Sequence, residues 1–380
     1  MTKTKKSNQT KDFIPIANTF IGPEEAKAVY EVIRSGWISM GKKVEEFEAM
    51  AADYLGTKYA VAFNNGTATL HASLLAVGVK ENDEVLVPTL SYISSANAVL
   101  YCGAIPKFCQ EDAKTFNVTA DEIERNITPR TRAIMTVDLK GMPVDFDAIK
   151  AVAQKHRIPI VSDSAESFGA LYKGRQVASQ CEVHSFSFFA NKNITTGEGG
   201  LISTNDPEIN RIVRIVRNQG QSERYKHVMI GHNYRMTDMV AAFGIEQLRR
   251  VEWIMEEKNR VADFYHKAFA SHPLIQVPYV PDYVTRHSWY MYCLTFAKNV
   301  DRDAVIQRMK EDGVDSRLSF PLIPLQPIYR EKFGYKDGDF PASEAIFASF
   351  VDIPCWPKMT KKQMQKVVDV VITAVEASHR

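Results

Sequence analysis

Seven apolar runs of strand length, interleaved with stretches of helical period, constrain this chain more than any other feature. The runs are YAVAF (59–63), EVLVP (84–88), PKFCQ (106–110), RAIMTVDL (132–139), IPIVSD (158–163), SFSFF (185–189) and GLIST (200–204). They are continuous rather than alternating, as expected of strands covered on both faces. EEAKAVYEVI (24–33), VEEFEAMAADYL (44–55) and DFDAIKAVAQKH (145–156) carry a helical period. This alternation predicts an α/β fold with a large, mainly parallel seven-stranded sheet. From about 235 the pattern changes. Residues 235–269 read as one long charged helix, SWYMYCLTF (288–296) as a strand, and 301–313 and 361–378 as helices. The expected division is a disordered tail over 1–12, a large domain over 13–250 and a smaller C-terminal α/β domain over 251–380.

Composition removes several classes of function. Net charge is +2 over 380 residues and no basic stripe is interleaved with aromatics, so nucleic acid is not an expected partner. The N-terminal MTKTKKSNQTKD lacks the apolar centre of a signal peptide, and no run is long enough to cross a bilayer. Five cysteines without a CxxC pair argue against a disulfide framework or a zinc site. Reduced thiols in a cytoplasmic protein are expected.

In an open parallel sheet, ligands bind at the carboxyl ends of the strands. After the first run comes Asn65-Gly66-Thr67-Ala68, opening a helix. That is either an anion site or a plain N-cap at Thr67. Tyr92 follows the second run, where core packing is the alternative to a stacking platform. Asp163 ends the fifth run and could equally cap a following helix; Glu166 lies three residues on. Ser185 and Ser187 alternate with Phe186 and Phe188, so one face carries hydroxyls and the other rings. Lys192 comes next, then the glycines of TTGEGG. A phosphate cradle, an aromatic plate, a carboxylate and a lysine together suit pyridoxal 5′-phosphate (PLP). Desolvation beside Phe188 and Phe189 is expected to favour the neutral lysine.

Six segments carry a resemblance. They are GWISMGKKVEEFE (36–48), NNGTATLHASLLA (64–76), EVLVPTLSYISSANAV (84–99), SDSAESFGALYKGR (162–175), SFSFFANKNITTGEGG (185–200) and GHNYRMTDMVAAFGIEQL (231–248). In this order they resemble the PLP-dependent sugar aminotransferases of the DegT/DnrJ/EryC1/StrS family, nearest its GDP-perosamine synthase branch. The resemblance implies the aspartate aminotransferase type of fold, with PLP bound in the large domain. It implies Lys192 as the internal aldimine lysine and acid/base, and Asp163 as partner of the pyridinium nitrogen. Glu166 would stand near the ring hydroxyl and Tyr92 would stack on the ring. Gly66, Thr67, Ala68 and Ser187 would surround the phosphate. Asn233 would reach it from the second subunit of a homodimer with shared active sites. The implied reaction moves an amino group from glutamate to C4 of a nucleotide-linked 4-keto-6-deoxy sugar, for surface polysaccharide such as O-antigen.

Departures from the family pattern cluster around the expected sugar pocket. The family often reads VHLYGHP where this chain has VDLKGMP (137–143), so Asp138, Lys140 and Met142 differ. Pro324 stands near a frequent histidine, and His232 stands where tyrosine is common. Lys140 and Arg317 carry positive charges that could touch the substrate, with solvated surface the expected place for either. Two alternatives stay open: amination at C3 or of a UDP- or dTDP-sugar, and a non-catalytic regulator on the same fold.

Overall fold

All seven predicted runs form strands of one sheet. The computed structural model describes residues 13–379; the tail expected over 1–12 lies outside them. The strands are β1 (Tyr59–Phe63), β2 (Glu84–Pro88), β3 (Ile105–Cys109), β4 (Thr131–Val137), β5 (Ile160–Asp163), β6 (Val183–Ser187) and β7 (Gly200–Thr204). Their order is β1-β7-β6-β5-β4-β2-β3. Only β7 runs against its neighbours, β1 and β6. The remaining pairs are parallel.

Alternate residues of each strand feed two separate cores. Ala60, Ala62, Ile134, Ile160 and Phe186 pack with the helices Lys42–Leu55, Phe146–His156 and Asp238–Arg249 on one face. Val61, Phe63, Met135, Val161 and Ile202 pack with Gly66–Ala76 and Pro207–Arg217 on the other. This two-sided burial is why the runs are apolar throughout. The Gly66–Ala76 helix is itself enclosed: Ala68 to Leu74 are all buried. A helix so placed has no polar stripe, and its N-terminus is fixed firmly against the sheet.

A third core lies in the C-terminal part. The helices Val251–Phe269 and Lys361–Ala377 pack around an antiparallel sheet of β8 (Ile275–Gln276), β9 (Tyr292–Phe296) and β10 (Phe350–Ile353). Two expectations need correction here. The stretch 235–269 is two helices, Asp238–Arg249 and Val251–Phe269, broken at Arg250 with φ −112° and ψ 8°. The Arg250 guanidinium there reaches Glu24 and Glu25, each at 3.3 Å. The strand expected over 288–296 begins only at Tyr292, because Trp289 takes φ +48° and turns the chain.

Candidate active site

The carboxyl ends of β1, β5 and β6 lie along one edge of the sheet, and a cavity of about 610 Å³ opens above it. That size falls within the roughly 300–1,000 Å³ of small-molecule and cofactor sites. Gly66, Thr67, Ala68, Tyr92, Asp163, Ser187 and Lys192 all border it.

Asp163 ends β5, in register with Ser185 of β6. No helix follows it. Its Oδ1 accepts the Ala165 N–H at 3.2 Å and its Oδ2 accepts the Ser95 hydroxyl at 2.7 Å. The capping alternative therefore fails, and the side chain is a fixed acid in the cavity floor. Burial pushes its carboxyl above the ordinary range, against the Ser95 hydroxyl, the Ala165 N–H and the Lys192 charge.

The helix N-terminus also differs from the simplest reading. The cap is Asn65, not Thr67: Asn65 Oδ1 accepts the Ala68 N–H at 2.8 Å. Thr67 is released to the cavity, where its hydroxyl meets that of Ser94 at 2.7 Å. The N–H groups of Gly66 and Thr67 have no acceptor within the helix, as in any first turn. A Cβ at Gly66 would lie 2.8 Å from Ser187 Cβ. Glycine is thus what lets the turn approach Ser187. Thr69 pins the same helix to β6 through a 2.6 Å contact with the Ser185 hydroxyl.

Lys192 follows β6 in a turn closed by its N–H to the Phe189 carbonyl. Its side chain is 12% exposed, with Nζ 3.5 Å from Glu166 Oε1 and 4.1 Å from the centre of the Tyr290 ring. The expected lowering of its pKa is overturned. Burial does push it down, but Tyr290, Glu166 and Asp163 pull it up, and the net direction is upward. Phe188 does not desolvate the amine; it packs into the core against Phe47 and Phe168, and Phe189 is exposed. Glu166 stands behind Lys192 rather than on the cavity lining, and its Oε2 accepts the Lys140 N–H at 2.8 Å.

Lys140 is not surface. It is buried, its Nζ 2.8 Å from Asp352 Oδ2 and bonded to the Ser319 carbonyl. Arg317 is also not plain surface, since it borders the cavity with Phe320 and Tyr290. Sequence reasoning missed Tyr290 and Phe320, whose neighbourhoods carry no motif. Ser94 and Ser95 lay inside a quoted segment without being singled out. Asn233 is exposed and stays off this chain's own cavity; its carbonyl accepts Asn64 Nδ2 at 3.4 Å. All five cysteines are free. Among the described residues no helix is long and apolar enough to cross a membrane.

An acid, an amine and an exposed helix first turn around one cavity fit PLP, whose ring nitrogen, aldehyde and phosphate need those three groups. Comparison with known proteins points the same way. The DegT/DnrJ/EryC1/StrS aminotransferase family pattern matches residues 19–372. GDP-perosamine synthase of Caulobacter vibrioides is 38% identical over 361 residues, spanning 93% of this chain and 96% of that protein. The spore coat polysaccharide biosynthesis protein SpsC of Bacillus subtilis is 33% identical over 382 residues, spanning 96% and 98%. The structure of Spr1654 from Streptococcus pneumoniae in its PLP form superposes with a TM-score of 0.91 at 28% identity, covering 97% of this chain and 100% of that one. Its PMP form gives 0.92.

Proposed function

This chain belongs to the DegT/DnrJ/EryC1/StrS aminotransferase family, and on that premise we propose that it transfers an amino group from glutamate to C4 of a GDP-linked 4-keto-6-deoxy sugar. It is a PLP-dependent sugar aminotransferase with the type I fold. The observation that carries the residue assignment is Lys192 Nζ held above the strand ends, beside Glu166 and within electrostatic reach of Asp163.

When bound, PLP supplies an electrophilic carbonyl and an electron sink. Lys192 would be the amine that holds it and, when not so engaged, the base that takes a proton from the amino donor. Asp163, fixed by Ser95 and the Ala165 N–H, would hold a proton on the ring nitrogen. Gly66, Thr67, Ala68 and Ser187 would surround the phosphate, with the Ala68 N–H already engaged by Asn65. Tyr92, set edge-on to Phe320 with centroids 5.6 Å apart, would cover one ring face. Glu166, which stands behind Lys192, would be the polar partner near the ring hydroxyl. One amine serves both half-reactions, so the kinetics are ping-pong.

The second subunit enters through Asn233, which is exposed here and reads as a phosphate contact for a partner. Exposed apolar residues support a homodimer: Trp37 is 63% exposed and Ile230, three residues before Asn233, is 86% exposed. Each has exposed apolar neighbours in sequence, Ile38 beside Trp37 and Val228 and Met229 before Ile230, and such runs are unusual on a monomer surface. Sedimentation checks this, since a fully active monomer would contradict it.

Likeness to a GDP-perosamine synthase supports the GDP sugar and C4. Purified protein with PLP and glutamate is incubated with GDP-, UDP- and dTDP-linked 4-keto sugars, and 2-oxoglutarate release beyond one equivalent per active site is read. The expected result is release with the GDP sugar and an amine at C4 of the product. Release only with a UDP or dTDP sugar, or amination at C3, overturns the assignment.

A further inference from the structure

Lys258, on the Val251–Phe269 helix, is a buried cation without an anionic partner among the described residues. It is 4% exposed. Its Nζ donates to Asn193 Oδ1 at 2.7 Å and to the Tyr290 carbonyl at 3.3 Å, and both acceptors are neutral. Burying an ammonium on neutral acceptors alone is costly, so a device that keeps one there calls for a role.

Its two contacts are the two pieces of chain that place Lys192. Asn193 is the next residue, and it is held a second time by Nδ2 donating to the Ser288 carbonyl at 2.9 Å. Tyr290 lays its ring against Lys192 Nζ. A small cavity of about 20 Å³ borders both lysines, while Lys192 alone also borders the large one. We propose that Lys258 is a positioning residue for Lys192: it grips the side chain of the next residue, Asn193, and the carbonyl of Tyr290, whose ring lies against the reacting amine, and sets a positive charge behind that amine that favours the neutral, nucleophilic form. This rests on Lys192 being the cofactor lysine. It also answers a chemical need, because Glu166 and Asp163 pull the Lys192 amine toward its charged form.

The groups facing Lys258 are Lys192 and Asn193 from the 191–193 turn, Tyr290 and His287 from the turn before β9, and Cys355 from the segment after β10. Burial keeps His287 neutral at neutral pH and pushes the Cys355 thiol up to about 11, so neither supplies a counter-charge. Burial lowers Lys258 itself to about 8, and the Lys192 charge adds to the lowering. Lys258 is therefore still mostly charged at pH 7.

The test reads the amine directly. Full-length protein freed of cofactor is acetylated in competition with a reference amine across pH, and acetyl-Lys192 is quantified by mass spectrometry. Lys258→Met is expected to move the Lys192 midpoint up by on the order of one unit, and Lys258→Arg to leave it near wild type. If Lys258→Met does not fold, Lys258→Gln is measured in its place, with the same upward shift expected. An unchanged midpoint in the folded neutral variant, or an equal shift in Lys258→Arg, overturns the proposal. Borohydride reduction of the PLP-loaded protein with peptide mapping tests the premise separately. PLP fixed to another lysine would sink the site assignment, whereas PLP on Lys192 with an immobile midpoint would sink only the role of Lys258.

Discussion

The floor and the wall of the cavity are built by different means. The floor comes from residues at or just past strand ends: Gly66 and Thr67 after β1, Asp163 closing β5, Ser187 and Lys192 at β6. Neighbouring hydroxyls and N–H groups, such as those of Ser94, Ser95 and Ala165, hold it in place. The wall comes from turns in the C-terminal part: Tyr290, Arg317 and Phe320. Its 317–320 segment is tied down by one buried ion pair. Asp352 bonds Arg317 through both backbone groups and takes Lys140 on its side chain, while Lys140 also holds the Ser319 carbonyl. The contrast teaches that the groups proposed to react follow from sheet topology, whereas the opposite face of the cavity hangs on a contact between residues 212 apart in sequence.

If the floor does the chemistry, Lys192→Ala has the largest effect. Transamination should fall by at least about a thousandfold, and the absorbance band of PLP joined to the protein should give way to that of unattached PLP, with thermal stability little changed. A variant keeping both band and turnover would remove the floor's claim. The wall is tested next by Lys140→Met. It strands the Asp352 charge in the interior, at a cost of about 3–5 kcal/mol in denaturant unfolding. Lys140→Met with Asp352→Leu should recover most of that loss, since a packed apolar pair often replaces a buried ion pair without penalty. A single variant losing less than about 1 kcal/mol would show that the wall hangs on something else.

The same contrast governs what could be read in the sequence. Seven strands were legible because burial on both faces leaves continuous apolar runs. Asp163, Lys192 and the Gly66-Thr67 turn were legible because topology puts ligands beside those strand ends. The wall was not. Lys140 follows a strand and looks like a loop lysine; only folding brings Asp352 to it. Tyr290 sits in SWYMYCLTF, which has strand composition throughout, yet Trp289 turns left-handed inside it. Asn65 and Thr67 are both good caps, and only the backbone geometry chooses Asn65. The break at Arg250 involves neither proline nor glycine, so no local signal marks it. The charge state of Lys192 was misjudged for the same reason: its sequence neighbours are aromatic, but its spatial neighbours are acids.

Two smaller changes divide the floor into parts. Asp163→Asn keeps the shape and the Ser95 contact but removes the charge that holds a proton on the ring nitrogen. The expected loss is roughly a hundredfold in kcat, with KM nearly unchanged and the absorbance band still present. An equal loss in PLP affinity would instead make Asp163 a binding group.

Gly66→Ala should have the smallest effect and isolates the phosphate end. The added Cβ would lie 2.8 Å from Ser187 Cβ and 3.2 Å from its Oγ, so the helix turn or β6 must give way. Overpacking of this kind costs about 1–3 kcal/mol, which would appear as PLP binding weakened tenfold or somewhat more. Turnover of the enzyme once saturated with PLP should change little, because Lys192 and Asp163 are untouched. Adding Ser187→Gly removes the colliding Cβ and should restore part of the affinity, less what the Ser187 hydroxyl itself contributes. Unchanged binding in Gly66→Ala would mean that the turn shifts freely, and the tight approach of helix to strand would then not be what shapes the phosphate site.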